Sequence, residues 1–182
     1  MSVKVLMVCT GNICRSVMAE VVLQEHLRKA GVDAVVDSCG ISDEEHGNPI
    51  DYRAQRTLKG AGYVLPNHAA RQINSRDLEE NDLILAMTYR HFEAVERLVN
   101  RKQTNFNLSE DVPRLMMFRA FDPQGINGEI EGAPSGTKNA PTKVKDVPDP
   151  WYGTQADFEE TLATIERCIP ALLAEIQRRE TK

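Results

Sequence analysis

Val3-Lys4-Val5-Leu6-Met7-Val8 runs straight into Cys9-Thr10-Gly11-Asn12-Ile13-Cys14-Arg15-Ser16-Val17, and this stretch decides the fold. The first six residues are short and apolar, as a buried strand is. From Val17 to Leu27 the apolar residues Val17, Met18, Val21, Val22 and Leu27 form a helical stripe. The residues between are therefore a loop that leaves a strand and opens onto a helix N-terminus. In open α/β sheets such a loop lies at the carboxyl end of a strand, where ligands bind.

A helix start presents unpaired backbone N–H groups and a partial positive charge, so the loop is a site for a tetrahedral dianion. Successive amides of Thr10, Gly11, Asn12, Ile13 and Cys14 can form an anion nest, and Gly11 supplies backbone freedom for it. The same field favours a thiolate over a neutral thiol at Cys9. Arg15, six positions on, adds a planar fork that can hold two phosphoryl oxygens and stabilise transition-state charge. The Ser16 hydroxyl can give its hydrogen to the sulfur. A thiol and a guanidinium in this arrangement point to cysteine-dependent phosphoryl chemistry.

Outward from the loop, strands are expected at Val3 to Val8, Ala34 to Ser38, Asp82 to Ala86 and Arg114 to Phe118, and helices at Val17 to Ala30, Ile50 to Ala61, Tyr89 to Val99 and Ala156 to Gln177. The last carries Phe158, Leu162, Ile165, Ile169, Leu172 and Ile176 at spacings of three and four, with Thr154 and Asp157 as its N-cap pair and Pro170 as a bend. Alternating strands and helices predict an α/β three-layer sandwich: a central four-stranded parallel sheet with helices on both faces. The 182 residues suit one domain spanning 1–182.

Net charge is −5, from 22 Lys and Arg against 27 Asp and Glu, which argues against a nucleic-acid surface. Nothing reads as a signal peptide or a membrane span, and a reducing cytoplasm is the simplest compartment. The cysteines Cys9, Cys14, Cys39 and Cys168 have neither disulfide-scaffold nor zinc spacing, so no metal site is expected. Cys14 has two readings: a redox partner that closes a disulfide on Cys9, or a small side chain filling space. The Gly-, Pro- and Lys-rich stretch 124–147 is a flexible insertion, either a flap carrying Lys138, Lys143 and Lys145 at a cleft mouth or a solvated loop.

A leaving oxygen needs a proton, and two Asp-Pro pairs compete to supply it, Asp122-Pro123 and Asp149-Pro150. The aromatic side chains of Trp151 and Tyr152 after Asp149 can wall a slot around a substrate ring and exclude water.

The run Val8 to Ser16 with Met18-Ala19-Glu20 resembles the signature of the low molecular weight protein tyrosine phosphatases. Further matches are Asp37-Ser38 with Gly40, His46 to Asp51, His68 to Gln72 and Asp149 to Gly153. Val17 departs from the family's usual proline, which implies a slightly less rigid loop. The resemblance implies a flavodoxin-like fold of the phosphotyrosine phosphatase I type. It also implies a metal-independent, cofactor-free hydrolase that acts on phosphotyrosine in proteins, a bacterial-type tyrosine kinase among them. It selects Asp149 as the acid and assigns Asn12, Ser38 and His68 to the support of the loop. The protein is expected to be a monomer or weak dimer. The rival within the family is a protein arginine phosphatase, in which the position of Ile13 tends to be Thr and the aromatic pair is reduced. A thiol-dependent arsenate reductase needs relay cysteines, and none lies between Asp77 and Phe106.

Overall fold

The computed structural model describes residues 2–102, 114–126 and 143–181. In chain order they form β1 (Val3–Cys9), α1 (Arg15–Ala30), β2 (Ala34–Gly40), α2 (Tyr52–Gly60), α3 (Ser75–Glu80), β3 (Leu83–Ala86), α4 (Tyr89–Lys102), β4 (Leu115–Met117), a 3₁₀ turn at Phe118–Phe121, and α5 (Gln155–Glu180). The strands lie in the order β2-β1-β3-β4 and every pairing is parallel. This is the flavodoxin-like three-layer arrangement. The chain passes from β1 to β2 on one side and returns to β3 on the other, so the crevice beyond β1 is the topological switch point.

The alternation of β1 builds two cores. Val3, Val5 and Met7 pack with α1, α2 and α5, through residues such as Val22, Leu58, Phe158 and Ile165. Leu6 and Val8 point to the other face, against Ile84, Leu78 of α3, and Val95 and Val99 of α4. A strand buried on both faces has no polar alternation, which is why β1 and Leu83–Ala86 read as unbroken apolar runs. Each large side chain removed from water here contributes roughly 1.5–3 kcal/mol.

The helix ends are set locally. Gly31 closes α1 in the left-handed conformation (φ 66°), which a residue without Cβ adopts freely. The Asp157 carboxylate accepts the Thr154 N–H at the start of α5, as the sequence predicts. α5 continues through Pro170, which stands on its exposed side. The short α3 is not expected from periodicity. It is held by Asn74, whose side chain accepts from Arg76 and Asp77 N–H groups, and by Asp77, which accepts from Asn74 N–H.

Of the stretch 124–147, residues 127–142, with Lys138 and the body of the expected flap, lie outside the described residues. Its ends meet in an antiparallel bridge between Ile126 and Val144. Among the described residues no helix is long and apolar enough to cross a membrane.

Candidate active site

The strand-loop-helix unit places Cys9 as the last residue of β1 and Arg15 as the first of α1. The loop between them bends back at Asn12, a non-glycine residue with φ 62°. That backbone conformation is uncommon outside glycine and most accessible to Asn and Asp. The side chain and carbonyl of Asn12 hold it there.

Asn12 Nδ2 donates to Ser16 Oγ at 3.0 Å and to Ser38 Oγ at 2.8 Å, while Asn12 Oδ1 accepts the Arg71 N–H at 3.1 Å. His68 Nε2 lies 2.7 Å from the Asn12 carbonyl, so this ring nitrogen carries the proton it donates. Ser38 in turn donates to the Glu20 carboxylate. Because both amide hydrogens of Asn12 are committed, Ser16 Oγ accepts one of them and keeps its own hydrogen for Cys9 Sγ, 3.0 Å away. Asn12 N–H also reaches Cys9 Sγ, at 3.3 Å. Two donors thus converge on the sulfur.

Burial acts on the surrounding titratable groups. It pushes the Glu20 carboxyl up, a shift the Ser38 hydroxyl only partly offsets. It lowers His68, with the bond to Asn12 working the other way. Burial, followed by the negative charge of Asp51, pushes the Cys14 thiol well above the ordinary range, so Cys14 is a neutral thiol. Within the loop Ile13 and Cys14 are both buried, and the Ile13 carbonyl accepts the Asp51 N–H at 2.9 Å.

Close approach shapes the loop's other wall. Ile41 and Ser42 N–H groups donate to the carbonyls of Cys9 and Thr10. A Cβ at Gly40 would collide with the Thr10 carbonyl, so β2 can end against the loop only with glycine there.

Of the two Asp-Pro pairs, one faces this loop. Asp149 Oδ2 lies 2.9 Å from Arg15 Nη2, with the Arg15 side chain nearly buried and that of Asp149 53% exposed. Arg15 Nη1 donates to the Val147 carbonyl at 3.4 Å. Asp122 has a fully buried side chain held by Arg119 and Arg167, and serves packing. Beyond Asp149, Trp151 is 39% exposed and Tyr152 97%, so an aromatic rim stands open beside the carboxylate.

Arg53 belongs to the site but is not singled out by the sequence. It pairs with Asp51 through its Nε and donates to the Trp151 carbonyl at 2.9 Å. Its guanidinium stacks 4.6 Å from the Phe158 ring centre and 5.5 Å from that of Trp151. The available signal was its place two residues after Asp51, inside the N-cap of α2.

Comparison with known proteins gives consistent matches over the whole length. The family described as low molecular weight phosphotyrosine protein phosphatase matches residues 4–132 and 133–182. A low molecular weight protein-tyrosine-phosphatase from Streptomyces coelicolor is 34% identical over 179 residues, 97% of this chain and 95% of the relative. The low molecular weight protein-tyrosine phosphatase A of Mycobacterium tuberculosis is 38% identical over 170 residues, 92% of this chain and 88% of the relative. The crystal structure of YfkJ from Bacillus subtilis superposes with a TM-score of 0.76 at 29% identity, covering 98% of this chain and 97% of that one.

Proposed function

The chain belongs to the low molecular weight phosphotyrosine protein phosphatase family, and on that premise we propose that it hydrolyses phosphotyrosine in proteins through a cysteinyl-phosphate on Cys9. The observation that carries the reading is the convergence of three groups: Cys9 Sγ under two donors, Arg15 on the next helix, and Asp149 2.9 Å from Arg15.

The dianionic phosphoryl group sits in the loop formed by Thr10, Gly11, Asn12, Ile13 and Cys14, with two of its oxygens in the Arg15 fork. Cys9 thiolate attacks phosphorus in line, and the bond from phosphorus to the tyrosyl oxygen breaks. Protonated Asp149, displaced from Arg15 by the phosphoryl oxygens, gives its proton to the leaving oxygen. Ser16 holds the sulfur through its hydroxyl, and eases its departure in the second step. There Asp149, now a carboxylate, takes a proton from the water that attacks phosphorus, and orthophosphate and the Cys9 thiolate are released. Charge neutralisation by Arg15 and the loop amides supplies what a metal ion supplies in other phosphoryl transfers. Glu20, Ser38, Asn12 and His68 hold the loop in the geometry that does this.

The rim favours an aryl phosphate. Trp151 and Tyr152 flank the acid, and Arg53 fixes the Trp151 backbone, so a flat ring can stack in the slot. Acid quenching of the Asp149→Ala variant during turnover, followed by peptide mass spectrometry, tests the intermediate. Phosphate on the Cys9 peptide supports it, and phosphate on another residue of the loop rules it out.

A further inference from the structure

His91, the third residue of α4, is 1% exposed, and its Nε2 lies 2.9 Å from Thr10 Oγ1 across 81 positions of sequence. Its Nδ1 is buried with no hydrogen-bond partner. An apolar side chain would fill the same space without that orphaned atom, so packing does not explain a ring here. The bond to Thr10 does.

The turn that carries His91 also touches the other half of the site. Tyr89 N–H donates to Asp146 Oδ1 at 2.7 Å, and the Met87 carbonyl accepts the Val147 N–H at 2.8 Å. Val147 then offers its carbonyl to Arg15, two residues before Asp149. The segment from Met87 to His91 therefore holds the nucleophile loop on one side and the acid-bearing segment on the other.

We propose that His91 is a positioning residue: through the Thr10 hydroxyl it fixes the nucleophile loop relative to the segment that presents Asp149. The Thr10 carbonyl is already bound by Ser42 N–H, so the His91 contact fixes the second polar group of that residue. Burial, with Arg15 and Arg90 adding to it, pushes the ring down to about 3, so His91 meets Thr10 as a neutral imidazole at ordinary pH. The kinetic consequence rests on the phosphatase reading above.

The test compares His91→Met, His91→Gln, Thr10→Val, Thr10→Ser and the double variant H91M/T10V. Met and Gln have similar length, but only Gln keeps a polar group near the position of Nε2. Steady-state hydrolysis of a phosphotyrosine peptide is one readout. The other is orthovanadate affinity, read from the fluorescence of Trp151, the only tryptophan, which needs no turnover. Loss of one aligned hydrogen bond should lower kcat about tenfold in H91M and in T10V while KM moves less than about threefold, and weaken vanadate about tenfold. H91Q should stay within about threefold of wild type, T10S should be faster than T10V because it keeps the hydroxyl, and the double variant should lose no more than either single one, because both remove the same bond. Wild-type kcat in H91M or T10V, an H91Q as slow as H91M, or losses that multiply in the double variant would overturn the proposal. If H91M does not fold, T10V against T10S reads the same bond. A wild-type enzyme inert toward phosphotyrosine would break the phosphatase reading alone, since the vanadate comparison still decides the role of His91.

Discussion

Arg15 and Asp149 lie 134 positions apart in sequence and 2.9 Å apart in space, one side chain nearly buried and the other half exposed. The cation is held under the loop by α1, whereas the carboxylate that meets it is itself half exposed, between the buried Val147 and Pro150. This contact separates Asp149 from Asp122, whose side chain is fully buried against Arg119 and Arg167.

Asp149→Ala slows hydrolysis of phosphotyrosine more than that of an aryl phosphate with an activated leaving group, because only the poorer leaving group needs the proton. A ratio of rates unchanged from wild type would remove Asp149 from the role of acid. Arg15→Ala loses phosphate affinity and turnover together.

Asp122→Ala acts on stability. It leaves the partly buried guanidinium groups of Arg119 and Arg167 without their carboxylate, which costs about 3–5 kcal/mol. Burial alone would raise the Asp122 carboxyl, but hydrogen bonds from Arg167, Gln124 N–H and Arg119 outweigh it and hold it below the usual carboxylate value. The contribution is therefore present above the unfolded value of 3.8 and is lost as pH falls through the lower folded one. Urea unfolding at neutral pH checks the magnitude, and a variant as stable as wild type would contradict it.

Gly40→Ala tests the close approach of β2 to the loop. The added methyl meets the Thr10 carbonyl, which cannot retreat without releasing Ser42. The expected result is a loss of about 1–3 kcal/mol with reduced kcat, measured by thermal unfolding and steady-state kinetics. Unchanged values in both would show that the loop yields at no cost.

Burial lowers His68 below 6.5, the value of an ordinary histidine, more than its bond to Asn12 raises it. Protonation is thus easier in the unfolded chain. The stability His68 contributes is full above about pH 6.5 and declines as pH falls from there toward the folded value. His91 works in the same direction over a wider window, down to about 3. The melting temperature of His68→Gln should fall less steeply than that of wild type between about pH 7 and 5. Parallel curves would exclude the effect.

Much of this was legible from local chemistry. An apolar run before Cys9 and a helical stripe after Arg15 specify β1, the loop and α1 without any long-range information. Asp149 was preferred to Asp122 through the family resemblance and the aromatic pair Trp151 and Tyr152 that follows it, whereas burial, which separates the two Asp-Pro pairs in the structure, is a tertiary property. His91 and Arg53 escaped for the same reason, since their partners lie 81 and 98 positions away. α3 escaped because its six residues are too few to show a period, although Asn74 and Asp77 form a recognisable cap.

Metal-independent hydrolysis of phosphotyrosine by Cys9 is measured with phosphotyrosine, phosphoserine and phosphoarginine peptides in the presence of EDTA, using wild type and Cys9→Ser. The wild-type enzyme should hydrolyse phosphotyrosine in preference to the other two, and turnover should disappear in Cys9→Ser. Preference for phosphoarginine would place the chain with the arginine phosphatases, and phosphotyrosine hydrolysis that survives in Cys9→Ser would remove Cys9 as the nucleophile.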